Sequence, residues 1–231
     1  MKARAKRHFV RTPIATLAIS ALLCACTEQA PVTMEEAKRV SIRARVGSVD
    51  FNVPVTFHSW EYRATGQWPR PFRTRQKVDY LRFNALLPDM EPYTEDNAAE
   101  YNRPGWGNRV QISMTNRKKV DWEHYFRMVG PRLRQTTEPP ELPGMIHYLD
   151  TARKHDIYLS HDHPTSDLVE VDCDRPAPGM FPDCQVMTRY RNGEFHLEYA
   201  FAREHVTEWR EIDRKVKALL DRFADAARER P

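Results

Sequence analysis

The sequence predicts an α+β fold that is built mostly from antiparallel sheet and ends in a long amphipathic helix. Several short segments alternate between apolar and polar residues, which is the period of a half-buried strand. Asn192-Gly193 joins two such segments and favours a β-hairpin, because both residues tolerate positive φ. Between residues 209 and 223 the apolar residues instead recur at helical spacing. These three observations define the fold class.

An N-terminal hairpin is predicted first along the chain. Residues 40–46 have an apolar side chain at every second position, and Gly47-Ser48 follows as a turn. The alternation resumes over residues 51–57 and predicts a second strand. Pro54 lies within it and has no N–H to donate to a sheet, so we expect an edge strand or a bulge.

The central part of the chain predicts two strands and one short helix. Residues 58–71 are rich in aromatic side chains without a clear period, and we expect them to be irregular. Strands are expected over residues 78–87 and 109–115. A short helix is expected within residues 120–134, broken by the Gly-Pro dipeptide inside that range.

A Pro-rich segment, residues 138–144, is the best candidate for a linker. It separates an N-terminal segment, residues 39–137, from a C-terminal segment, residues 144–231. Each segment has strands followed by a helix, so the pattern leaves open a pair of α+β lobes or a single domain. Strands in the C-terminal segment are expected over residues 145–149, 156–160, 168–173, 184–191 and 195–201.

The C-terminal helix is predicted from its cap and its apolar stripe. Thr207 can accept a hydrogen bond from the first turn, and Glu208 complements the positive end of the helix dipole. The stripe consists of Trp209, Ile212, Val216, Leu219, Leu220 and Phe223. We expect it to pack on the sheet, with the basic residues on the other faces of the helix.

The first 25 residues have the form of a cleaved export signal. Five basic residues and no acidic residue precede an apolar run over residues 14–23, which is too short to span a membrane permanently. The run ends in Leu23-Cys24-Ala25-Cys26, which resembles the lipobox of bacterial lipoproteins, with Cys26 as the lipid-bearing cysteine. The alternative is a buried N-terminal helix followed by two core cysteines.

The lipobox resemblance implies cleavage before Cys26, a diacylglycerol thioether on its sulfur and an N-acyl chain such as palmitate. Several acyl chains on one residue make a durable anchor. Residues 26–38 are then a lipidated tether. Thr27, in place of Asp after the cysteine, implies sorting to the outer membrane. We therefore expect a membrane-anchored chain in the cell envelope that faces the periplasm.

The net charge of +4 belongs to the export signal. Removal of residues 1–25 takes away five basic residues and no acidic residue, which leaves about one acidic residue in excess. A basic stretch over residues 70–82 has interleaved aromatic residues and could stack on single-stranded nucleic acid. The compartment and the overall charge argue against this function, and no nucleic-acid partner is expected.

Apart from Cys26, the mature chain has two cysteines, Cys173 and Cys184. In an oxidising periplasm an isolated pair usually forms a disulfide, here around a short loop rich in Pro and Gly. A metal or redox pair is the alternative, but the two cysteines lack Cys-x-x-Cys spacing.

Candidate chemistry concentrates at His161 and His163, with several aspartates close by in sequence. Imidazole and carboxylate are natural zinc or iron ligands, so these are weak candidates for a metal site. The simpler interpretation is a polar turn at the end of a strand. No Gly-x-Ser-x-Gly, Ser-x-x-Lys or phosphate-binding loop occurs, so we expect neither catalysis nor a cofactor.

Two further segments are residues 201–220 (FAREHVTEWREIDRKVKALL) and residues 85–93 (ALLPDMEPY). They resemble segments of small proteobacterial lipoproteins that act as immunity proteins for type VI secretion phospholipase effectors. The resemblance implies a periplasm-facing protein that binds a secreted toxin and blocks its active site. A metal-dependent envelope enzyme that uses His161 and His163, and a structural or assembly lipoprotein, are the alternatives.

Overall fold

The computed structural model describes residues 33–71, 73–116, 122–137, 141–161 and 167–229. The strands are β1 (Ser41–Val46), β2 (Val49–Pro54), β3 (Gln76–Val78), β4 (Tyr80–Leu86), β5 (Arg109–Thr115), β6 (Leu133–Gln135), β7 (Ile146–Asp150), β8 (His155–Leu159), β9 (Glu170–Asp174), β10 (Asp183–Tyr190) and β11 (Phe195–Ala202). The α-helices are α1 (Met34–Ala37), α2 (Ser59–Thr65), α3 (Ala98–Tyr101), α4 (Trp122–Val129) and α5 (Trp209–Glu229).

The strands form one large and one small sheet. The large sheet has the order β4-β5-β11-β10-β9-β8-β7-β6, and every neighbouring pair in it is antiparallel. The small sheet has the order β2-β1-β3, with only β1 and β3 parallel. The predicted α+β class with mostly antiparallel sheet is confirmed. The large sheet takes strands from both sides of the Pro-rich segment.

The N-terminal hairpin forms where the alternation predicts it, but its second strand is shorter. Val46 pairs with Val49 across a two-residue turn in which Gly47 has a φ of +58°. The strand β2 ends at Pro54 on the edge of the small sheet, and a 3-10 turn follows over Val55–His58. The expected strand to residue 57 was therefore wrong: the amide of Val55 still donates to the carbonyl of Val40 at 3.0 Å, but the backbone then turns away from the sheet. The missing N–H of Pro54 is tolerated because β2 is an edge strand, as expected.

The second predicted hairpin joins β10 to β11. Tyr190 pairs with Phe195, and Arg191, Asn192 and Gly193 all have positive φ in the turn between them. Apolar side chains at alternate positions of β11 are buried, as the period predicts: Phe195, Leu197, Tyr199 and Phe201. This strand places the centre of the large sheet against the hydrophobic core.

The helix α5 buries the whole predicted apolar stripe, and none of its six residues is more than 6% exposed. Its start differs from the prediction. A 3-10 turn over Arg203–Glu208 runs directly into the helix at Trp209, and Thr207 lies inside that turn. An N-cap residue has an extended backbone, so Thr207 cannot be the cap in a segment that is already helical.

Two further segments contain helices that their patterns did not predict. The segment expected to be irregular, residues 58–71, contains α2, where Tyr62 stacks on Trp68 at 4.2 Å between ring centroids. The expected tether contains α1, which begins with a capping box between Thr33 and Glu36. Both helices pack around one aromatic cluster, a tertiary contact that no short sequence period reports.

The predicted short helix is confirmed as α4, which ends in a 3-10 turn at Gly130–Arg132.

Within the basic stretch of residues 70–82, Arg75 makes contacts inside the protein. It donates to the carbonyl of Phe51 and to Asn52, and it lies 3.3 Å from a carboxylate oxygen of Asp50. Across the described ranges, no helix has both the length and the apolar character that crossing a bilayer requires.

Candidate protein-binding surface

The candidate site residues predicted from the sequence do not come together at one site in the described part of the structure. Cys173 and Cys184 face each other on β9 and β10 and are joined by a disulfide. His161 follows β8, with its Nε2 atom 3.6 Å from a carboxylate oxygen of Asp167. Cys26 and His163 lie outside the described residues. In the described part of the chain, no three His, Cys, Asp or Glu residues are grouped so that they could hold a metal ion.

The disulfide closes a projecting connection between β9 and β10, residues 175–182, which we call the disulfide loop. Three prolines and one glycine lie within it. The amide of Met180 donates to the carbonyl of Ala177 at 3.1 Å and closes a turn. We call residues 177–181 the tip of the loop. Proline fixes φ, so a loop of this composition has few conformations to lose when it becomes ordered.

Arg203, the first residue after β11, holds both ends of the disulfide loop. Its amide donates to the carbonyl of Pro182 at 3.0 Å, and its guanidinium donates to the carbonyl of Asp174 at 2.7 Å. The same guanidinium binds Asp156 and Glu141, both at 2.8 Å. Asp156 is buried and also lies 3.0 Å from His147. The base of the loop therefore rests on a network of charged and polar side chains that runs from exposed Glu141 to buried Asp156.

The tip of the disulfide loop carries two large apolar side chains that are not buried. Met180 is 52% exposed and Phe181 is 63% exposed. The Phe181 ring lies against Gly105, where a Cβ atom would come within 2.7 Å of the ring. Because Gly105 also has a φ of +76°, both the space and the backbone at this position favour glycine.

A depression lies on each side of the disulfide loop. The aromatic groove, beside Phe181, is formed with the turn at residues 103–107 and includes Trp106. The basic cleft, beside Met180, is formed with the β7–β8 turn and has a volume of about 480 Å³. Its charged lining residues are Asp150, Arg153, Lys154, Asp174 and Arg175, and His155 also lines it.

The two carboxylates of the basic cleft are paired inside the protein. Asp150 accepts hydrogen bonds from the amides of Ala152 and Arg153 at 2.9 and 3.1 Å. Burial raises the pKa of Asp150, but these hydrogen bonds, a further one from the Arg153 side chain and the charge of Arg132 together hold its pKa below the ordinary value. Asp174 lies 3.0 Å from the Nε2 atom of His155.

Two cations of the cleft are less fully paired than its acids, whereas Arg153 binds both Asp150 and Asp172. Lys154 is exposed, and the structure places no carboxylate of the described residues within 4 Å of it. Arg175 is 49% exposed and has Asp156 only at 3.7 Å. The cleft therefore presents positive charge beside the apolar tip of the loop.

A pair of carboxyl groups lies at the base of the loop. Asp174 ends β9 and Asp183 begins β10, on either side of the disulfide. Burial, and to a smaller extent a hydrogen bond with Asp174, raises the pKa of Asp183 to about 6.

Sequence reasoning predicted the disulfide but not the surface that it supports. The prolines between the cysteines indicated a short, constrained loop. Adjacent Met180 and Phe181 in such a loop were the available signal, because apolar residues that cannot reach a core must lie exposed. The clamp formed by Arg203 gave no signal, since its partners are distant in sequence.

No family model matches the sequence, and no curated protein is significantly similar to it. Two solved structures are similar in fold. One is Smlt3025, an immunity protein of the Stenotrophomonas maltophilia type IV secretion system, with 13% identity and a TM-score of 0.53 over 80% of this chain and 93% of that chain. The other is the Neisseria meningitidis iron-regulated outer membrane lipoprotein FrpD, with 12% identity and a TM-score of 0.50 over 82% of this chain and 94% of that chain. At such identities the likeness shows the shared fold.

Proposed function

We propose that this chain is a lipid-anchored envelope protein that binds and neutralises a secreted toxin without catalysing a reaction. The observation that carries the proposal is the fold, which spans almost the whole length of a secretion-system immunity protein. The two segments that resemble immunity lipoproteins, residues 85–93 and 201–220, support the same function from the sequence.

The location follows from the N-terminal sequence. The lipobox at Cys26 supplies an anchor, and the fold is also that of an outer membrane lipoprotein. A toxin delivered into the periplasm would meet its inhibitor there. The disulfide between Cys173 and Cys184 fits an oxidising compartment. Anchor, disulfide and fold therefore agree on an envelope protein.

The test is a competition between sibling strains. The recipient strain lacks both this gene and the gene of the toxin that the chain neutralises. It carries either the full chain or an empty vector, and it is mixed with the parent strain as attacker. We expect survival to fall by at least tenfold without the chain and to be restored with it. A Cys26→Ala variant, which cannot receive lipid, should protect less. Full survival of the deletion strain would refute a neutralising function.

A second candidate is a structural or assembly lipoprotein of the envelope, which the likeness to FrpD favours. This function predicts that deletion causes a permeability or cell-shape defect in a strain grown alone. Dye uptake and microscopy of the deletion strain, without any attacker, distinguish the two. A defect in the isolated strain together with full resistance to siblings would support the structural function.

A further inference from the structure

The tip of the disulfide loop exposes apolar surface that contributes nothing to the hydrophobic core. Only five large apolar side chains are exposed in the described residues, and Met180 and Phe181 are adjacent in sequence. The other three lie singly on α2, β4 and α4. Isolated exposed apolar residues are common, whereas adjacent ones on a projecting loop are typical of an interaction site.

The loop is fixed in place before any partner arrives. The disulfide joins its two ends, three prolines restrict its backbone, and Arg203 binds a carbonyl at each end. Binding normally loses affinity because flexible loops must become ordered. A fixed loop avoids most of this loss, so Phe181 can act as an aromatic anchor of the kind that dominates protein interfaces.

The charges around the tip restrict the partner further. Lys154 and Arg175 lie at the basic cleft beside Met180, and the acids of the cleft are already paired within the protein. Complementary charges at the rim of an interface select the partner and speed its association. The surface that binds this loop should therefore be acidic around an apolar centre.

We propose that the disulfide loop inserts Phe181 and Met180 into an apolar recess of the toxin, with Lys154 and Arg175 facing acidic residues at its rim. This inference rests on the proposed function, because it takes the toxin as the occupant. It assigns binding to one end of the large sheet, where β9 and β10 meet the loop.

The experiment compares single variants of the full chain in the sibling competition and in binding to the toxin against which the full chain protects. Phe181→Ala removes the anchor, and Lys154→Glu reverses the rim charge. Tyr80→Ala is the matched aromatic control, because Tyr80 is 61% exposed and lies at the opposite ends of the strands. Lys77→Glu, on the small sheet, is the control for charge reversal.

We expect Phe181→Ala and Lys154→Glu each to raise the toxin Kd at least tenfold, and both controls to change it less than twofold. The Lys154→Glu variant should act mainly on the association rate and should lose its effect at high salt. Immunoblots confirm equal protein levels. If Phe181→Ala fails to accumulate, the Lys154→Glu comparison decides, because that side chain is exposed.

Three results would overturn the inference. Unchanged toxin affinity in both loop variants, while the full chain still protects, would place the interface elsewhere and leave the proposed function intact. An equal loss of toxin affinity in the Tyr80→Ala control would show that the effect is not specific to the loop. A concentration-dependent dimer of the full chain that Phe181→Ala abolishes would show that a second copy occupies the tip. If the unaltered chain does not protect, the proposed function itself fails.

Discussion

The helix α5 and the disulfide loop are attached to the same large sheet by different forces. Eight apolar residues of α5 are buried, namely the six of the predicted stripe together with Ala224 and Ala227, and the helix is stabilised by that burial. The disulfide loop leaves its apolar residues in solvent and is held by a covalent bond, by prolines and by Arg203. We therefore expect stability and the proposed toxin binding to depend largely on different residues, so that variants can separate the two properties.

The largest expected effect tests the helix side of this comparison. Leu220 is fully buried in the main core, so Leu220→Ala should lower the free energy of unfolding by about 3 to 5 kcal/mol through lost burial and a cavity. Urea unfolding of the mature chain measures it. Leu220→Met, which nearly conserves volume, should cost less than about 1.5 kcal/mol. The toxin affinity of folded Leu220→Ala should not change. A loss of toxin affinity as large as the loss of stability would contradict the idea that the two properties depend on different residues.

A smaller effect is expected at Arg203, where the two properties should change together. Arg203→Ala leaves buried Asp156 without its closest guanidinium partner, which should cost about 3 kcal/mol, since His147 and the more distant Arg175 remain beside Asp156. The loop also loses the hydrogen bond from the guanidinium to the carbonyl of Asp174, while the backbone amide of residue 203 still donates to Pro182. One end of the loop is therefore released, so toxin affinity should fall as well. Arg203→Lys keeps the charge but not the forked geometry, and an intermediate result is expected. Unfolding and binding of the same samples test this prediction, which fails if Arg203→Ala alters stability alone.

The smallest effect is a pH dependence that arises from Glu170 on β9. Burial raises the pKa of Glu170 to about 7, although a hydrogen bond from Tyr125 lowers it. The folded state therefore keeps a proton that the unfolded state releases above its ordinary pKa of 4.5. Stability from this group is present at low pH and is lost as the pH rises through about 4.5 to 7.

Glu170→Gln should remove this loss, a difference of about 2 kcal/mol between pH 5 and pH 7. Buried His58 and His196 act in the opposite direction, because burial lowers the pKa of each to about 4. Between pH 5 and pH 7, the free energy of unfolding of the Gln variant should therefore rise more, or fall less, than that of the unaltered chain. Urea unfolding at both pH values measures the difference. Leu220→Ala serves as the control, because it should shift the whole curve and keep the slope of the unaltered chain.

Local patterns predicted the elements in which one period dominates. Alternation located β1, β5 and β11, the Asn192-Gly193 turn located a hairpin, and helical spacing located α5 with its entire buried stripe. The pattern failed at α2 and α1, where stacking of Tyr62 on Trp68 and a capping box decide the backbone. It also placed the start of α5 incorrectly, because a 3-10 turn precedes the helix.

The sequence by itself determined the fold class, the lipobox resemblance at Cys26 and the pairing of two isolated cysteines, because each depends on residues close together or on composition. Only the tertiary structure decided where Phe181 and Met180 lie and what holds their loop. Arg203 reaches Asp174, Asp156 and Glu141, which lie 29 to 62 residues away in the chain. Such contacts depend on the order of the strands in the sheet, which no local period encodes.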